Sequence, residues 1–198
     1  PQNPKTPKPR LRIGVLIIYL QTNRITNMKL FNDLFSGCSL SSDAYPHEEL
    51  FNGAAIKFIA KFITKCDDLG GIPAGEGDDE EGKDGETVIN LVDTYNLHEV
   101  EGYTPKEWMV TVKETMKLVM NKEEGKKSED EIKEYKSGCV EFVNFIKSKF
   151  KEIQLFQGDI GNYEGVAQSF GYALSENQDD PLELSFYFFK GALIEEKY

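Results

Sequence analysis

The 198 residues hold only three cysteines (Cys38, Cys66, Cys139) and two histidines (His47, His98). The cysteines lie far apart, are odd in number and form no Cys-x-x-Cys pair. This argues against a disulfide framework or a zinc site, and makes a reducing compartment the simpler setting. Positive charge is also short. Lys+Arg number 23 against 34 Asp+Glu, a net charge of −11. Nucleic acid is therefore not an expected partner, because phosphate binding runs on excess Lys and Arg. Cations and basic protein surfaces are more natural partners. The apolar run Ile13 to Leu20 is far shorter than the roughly 20 residues that span a bilayer, so no membrane partner is expected. Signatures of catalysis are missing as well: no GxSxG, P-loop, HExxH or GxGxxG occurs. "GGIPAGEG" is glycine-rich, but no lysine follows to meet a phosphate and its neighbouring acids would repel one. Adjacent carboxylates occur in the acidic loop and at Glu195-Glu196. Catalytic pairs need fixed separation and shielding from water, so a non-enzymatic protein is expected.

What is present suits one folded domain. Hydrophobic residues make up 39% and charged residues 29%, ordinary values for a chain with a sizeable core. Residues 1–27 differ from the rest. They carry five basic residues (Lys5, Lys8, Arg10, Arg12, Arg24) and no acid, which leaves 18 basic against 34 acidic residues beyond them. The chain begins with Pro1, and its first methionine is Met28. We read 1–27 as a non-native or translated upstream extension, with a secretory or anchoring leader as the alternative; its basic start fits a leader, but "QTNRIT" offers no small-residue cleavage site. Its β-branched run, if ordered, would suit a sheet edge. Residues 28–198 form the domain.

Within it, "MKLFNDLF" (Met28 to Phe35) reads as a strand and turn. "AAIKFIAKFITK" (Ala54 to Lys65) favours strand, either single or folded as a hairpin, with helix left open. Residues 66–86 form an acidic segment. From Asp67 to Glu86 it holds nine acids, one lysine and six glycines, a composition expected to make a mobile loop. Asp78, Asp79, Glu80 and Glu81 are oxygen ligands and weak calcium candidates, without the alternating spacing that wraps one ion. "ETVINLVDTY" (Glu86 to Tyr95) reads as one strand.

Residues 104–151 read as an antiparallel helical hairpin. Thr104, Pro105 and Glu107 form an N-cap, first turn and capping box. Trp108, Val112, Met116 and Val119 fall at helical spacing, and Gly125 ends the helix. Ser128 with Glu131 caps the second helix, whose stripe is Ile132, Tyr135, Cys139, Phe142, Ile146 and Phe150. The opposite faces carry Lys113 and Lys117, then Lys133, Lys147 and Lys151. They read either as solvated faces or as a basic patch for acidic partners. "IQLFQG", "GVAQSFGYAL" and "LELSFYFFKGALIEEKY" then make an antiparallel meander. In the last strand Leu182, Leu184, Phe186 and Phe188 should face one way, Tyr187 and Phe189 the other. Such a strand is central and covered on both sides, one of them by the hairpin. Lys190-Gly191 should turn the chain outward, leaving a charged tip in water.

That ending, "FYFFKGALIEEKY", resembles the C-terminus of the translationally controlled tumour protein family. "FKEIQLFQGDIGNYEGVAQSFGY" (Phe150 to Tyr172) resembles a family signature, with Gly158-Asp159 where Gly-Glu is usual. "MKLFNDLFSG" resembles the family's first strand. The family's Gly-Gly-Asn-x-Ser-x-Glu stands here as "GGIPAGE", with Ile72 and Ala74 replacing the asparagine and serine, so phosphorylation of that serine has no counterpart. The resemblance spans Met28 to Tyr198. It implies an α+β fold: a mostly antiparallel tent-like β core of the Mss4 type, a protruding helical hairpin and a mobile acidic loop. It also implies a cytoplasmic, non-enzymatic protein tied to growth, calcium binding and microtubule association, with no cofactor required beyond weakly held Ca2+. Tubulin association maps to Tyr103 through Lys122, with Lys113 and Lys117 at matching positions. An alternative role on small GTPases, as exchange factor or nucleotide-free chaperone, maps to Ser39 and Asp159. The family's acid at the first of these positions is absent, and no acid precedes Asp43 in "SGCSLSSD".

Overall fold

The computed structural model describes residues 28–65, 86–123, 128–158, 169–177 and 179–197. The acidic segment up to residue 85, Gly125, Asp159 and the 1–27 extension lie outside these residues.

Among the described residues, ten strands form two antiparallel sheets, accompanied by three α-helices. The first three strands are β1 (Lys29–Asp33), β2 (Ser39–Ser42) and β3 (His47–Leu50). The long strand β4 (Ala55–Lys65) follows, then β5 (Glu86–Ile89), helix α1 (Asn90–Tyr95) and β6 (His98–Glu99). Helices α2 (Pro105–Glu123) and α3 (Glu129–Lys149) precede β7 (Gln154–Gln157), β8 (Gly171–Leu174), β9 (Glu183–Phe189) and β10 (Leu193–Lys197). The larger sheet runs β3-β4-β9-β8-β7-β6, with β5 also on β4; the smaller runs β10-β1-β2. The sequence expectation of a mostly antiparallel α+β fold holds.

β9 is the central strand, flanked by β4 and β8. Its alternation sorts side chains to two cores. Tyr187 and Phe189 join Trp108, Val112, Val119, Tyr135, Cys139, Phe142 and Ile146 of α2 and α3. Leu184, Phe186 and Phe188 join Phe31, Leu40, Ile56 and Phe58 on the other face. Leu182 departs from the expected row. It precedes the strand and is 56% exposed.

The helix signals act as read. Glu107 accepts hydrogen bonds from the Thr104 amide (2.9 Å) and hydroxyl (2.7 Å). These bonds hold its carboxyl below the usual glutamate range. Ser128 and Glu131 close a reciprocal capping box at the start of α3. Burial pushes the Tyr172 and Tyr187 phenols above the ordinary tyrosine range, so both stay neutral.

Two expectations are corrected. "ETVINLVDTY" is not one strand. The β4–β5 ladder stops at the Phe62–Ile89 pair, and the Asn90 side chain accepts the next amide, that of Lys61, at 2.9 Å. The chain then turns into α1, which buries Leu91 and packs Val92 and Tyr95 on the second core. The charged tip is also not free. Lys190–Ala192 is a short 3-10 turn that leads into β10, and β10 pairs with β1 along its whole length. Ile194 to Lys197 stay exposed, as expected, because the strand is held by backbone bonds while its side chains remain solvated.

The β3–β4 turn docks on α3. Phe51, Asn52 and Gly53 all have positive φ (54°, 53° and 74°). This curl places the Phe51 ring against Phe142 and Phe145 and its carbonyl over Gly138.

Candidate interaction surfaces

Lys113 and Lys117 lie four residues apart on α2 and so stack on one face. Trp108, Val112, Thr115 and Val119 take the face toward the sheet, which leaves both lysines exposed. Between the two faces run Met116 and Met120, half-buried against the core. These residues and Asn121 line a shallow groove of about 400 Å³, and Lys136 of α3 supplies its other wall. No acid lines it. Among the described residues neither Lys113 nor Lys117 is held in an ion pair. Three cations thus converge on a strip of flexible apolar surface.

Lys136 and the two methionines are the members that sequence reading missed. Lys136 follows the buried Tyr135, so its place beside α2 depends on how the two helices pack. The other expected lysines are placed elsewhere. Lys133, Lys147 and Lys151 are exposed and do not line the groove. Lys133 pairs with Asp130 at 3.3 Å on an open surface, where such a pair stabilises little.

The second candidate surface is the corner around Ser39. Ser39 is half-buried, and its hydroxyl donates to the Asn32 side chain at 2.8 Å. Its neighbour Cys38 faces Gly158: a Cβ at 158 would lie 2.8 Å from the Cys38 Cβ and 3.2 Å from Leu40 Cδ2. Only glycine permits this approach. It brings the Ser39 strand beside the residue that precedes Asp159; Asp159 itself lies outside the described residues.

A buried carboxylate fixes that corner. Asp33, 1% exposed, accepts from the Ser36 amide (3.0 Å) and hydroxyl (2.6 Å). It also accepts from the Ser169 hydroxyl (2.5 Å) and amide (3.3 Å). Asp33→Ala is expected to cost about 2–3 kcal/mol by orphaning these donors, read as a lowered urea midpoint. Asp33→Asn, which keeps the shape and one acceptor, should lose less.

Among the described residues no group of three or more His, Cys, Asp or Glu could hold a metal ion. The calcium candidates Asp78, Asp79, Glu80 and Glu81 lie outside them. No described helix is long and apolar enough to cross a membrane.

Comparison with known proteins agrees with this architecture. The model of the translationally controlled tumour protein family matches residues 28–194. The solved structure of the translationally controlled tumor-associated protein from Schizosaccharomyces pombe is 24% identical, with a TM-score of 0.65. That match covers 86% of this chain and 99% of the other. The solution structure of translationally controlled tumor protein from Caenorhabditis elegans is 20% identical, with a TM-score of 0.64, and covers 86% and 98%. At these identities the structures establish the fold, and the family model establishes membership. The chain, with its two-sheet core and paired helices, belongs to the translationally controlled tumour protein family, which is generally not enzymatic.

Proposed function

We propose that this chain is a non-enzymatic interaction protein whose α2–α3 face takes acidic protein surfaces. Family membership suggests tubulin as the partner, with microtubule stabilisation and a role in growth. The observation that carries the reading is the convergence of Lys113, Lys117 and Lys136 on one groove without a lining acid. A local concentration of one sign attracts the opposite sign even when net charge opposes it. The double variant Lys113→Glu, Lys117→Glu is expected to weaken microtubule cosedimentation about tenfold or more. Both side chains are exposed, so the circular dichroism spectrum should not change. A folded variant that cosediments normally removes this assignment. A cytoplasmic setting belongs to the same proposal and fits Cys38 and Cys139, neither of which is in a disulfide. So does weak calcium binding through Asp78, Asp79, Glu80 and Glu81. Calcium-induced amide shifts confined to a few residues would support it, and diffuse shifts that vanish in ordinary salt would remove it.

A second reading is regulation of a small GTPase, and the close approach of the Cys38-Ser39 strand to Gly158 favours it. It expects faster nucleotide release from a GTPase, reduced by Asp159→Ala. No acceleration across a panel of GTPases removes it.

A further inference from the structure

The groove on α2 and α3 is more than a patch of charge. Its floor is Met116 and Met120, one turn apart on α2. Methionine is unbranched and polarizable, and it reshapes itself around a partner's apolar side chains. On α3, Val140 is 57% exposed and lies one turn beyond Lys136 on the same side of that helix. The three lysines stand at the margins: Lys113 and Lys117 on α2, Lys136 on α3. From Lys113 to Asn121 the groove runs about 12 Å along α2, at 1.5 Å per residue. That is close to two turns of a facing helix. Toward the start of α2 the sign of the surface changes. Val110, 58% exposed, lines a separate hollow with Glu101 and Glu107. The cationic strip is therefore bounded at that end of α2.

An acidic tail without apolar groups would pair with the lysines and leave the methionines and Val140 wet. A neutral apolar helix would cover them and leave Lys113 and Lys117 unmatched. An amphipathic helix with apolar residues on one face and carboxylates along both margins satisfies both at once, the helix-in-groove mode of recognition. We propose that this groove binds an acidic amphipathic helix of a partner protein, seated on Met116, Met120 and Val140 and clamped by Lys113, Lys117 and Lys136. The proposal rests on the basic-face reading above and adds the partner's shape and its apolar anchors.

The test compares two labelled peptides of equal length by fluorescence anisotropy on the full chain. One is a synthetic helix with leucines along one face and glutamates beside them; the other is a polyglutamate. The helix should bind about tenfold tighter or better. It should also retain affinity at molar salt, where charge pairing is screened. Val140→Gln touches no core and should weaken the helix several-fold while leaving polyglutamate unchanged. Met116→Gln with Met120→Gln should weaken it further. Equal binding of the two peptides, or no effect of Val140→Gln and the methionine pair, overturns the helix proposal. Sensitivity of both peptides to Lys113→Glu, Lys117→Glu in that case leaves the basic-face reading standing. Insensitivity of both to the charge reversal overturns the two together.

Discussion

Gly138→Ala is expected to destabilise the protein by about 3 kcal/mol, although alanine is the better helix former by about 1 kcal/mol. The added Cβ would lie 1.9 Å from the Phe51 carbonyl oxygen and 2.8 Å from its carbonyl carbon. Both are backbone atoms, so no rotamer change relieves the clash. Nor can the turn withdraw cheaply. Phe51 is held at a φ of 54°, and its ring sits 5.4 Å from that of Phe142 and 5.6 Å from that of Phe145. Lifting the turn would expose that aromatic cluster and pull on β4, which begins at Ala55. Urea unfolding should show a lowered midpoint. The neighbouring Ser137→Ala, on the exposed side of the same helix, should stay within about 0.5 kcal/mol of the parent. A Gly138→Ala protein as stable as the parent would mean that the turn does not seat on α3 as described.

Trp108→Ala should cost about 3–5 kcal/mol. Trp108 is fully buried where α2 meets the sheet. Its ring lies 5.3 Å from Phe150 and 6.2 Å from Tyr172. Its indole N–H donates to the Tyr172 hydroxyl at 3.3 Å. Truncation opens a large cavity beneath the first turn of α2 and leaves a buried hydroxyl without that donor. Trp108→Phe separates the two losses, because it keeps most of the volume and removes the N–H; a smaller cost is expected. The chain has one tryptophan, so unfolding of these variants must be followed by circular dichroism. Loss of α2 packing should also reduce binding at the Lys113 groove, which depends on α2 and α3 being held side by side.

Much of this fold is written in local pattern. The two capping boxes, the apolar stripes of α2 and α3 and the two-faced aromatic run of β9 all follow from neighbours within a few residues. What stayed hidden depends on distant partners. α1 forms because Asn90 takes an amide from Lys61, 29 positions away. β10 forms because β1 offers a strand edge; Ile194-Glu195-Glu196-Lys197 has no alternation to announce it. The Asp33–Ser169 contact spans 136 positions, and nothing local to either stretch marks the two as partners. For the candidate surfaces, Lys113 and Lys117 were legible from helical spacing. Lys136 was not, since its place beside them is set by the packing of one helix on the other. Ser39 was read as a contact point, yet its hydroxyl is engaged within the fold by Asn32.

The pairing of β1 with β10 also sets how the molecule responds to load. Lys29 and Lys197 stand directly opposite each other at one end of that ribbon, and Asp33 and Leu193 at the other. Tension applied between residues 29 and 197 acts across the strands. It opens one backbone pair at a time, each worth only about 1 kcal/mol, as a zip opens. The seam between the first and last strands is therefore mechanically soft, whereas the central β4–β9 ladder, seven pairs long, lies outside that line of force.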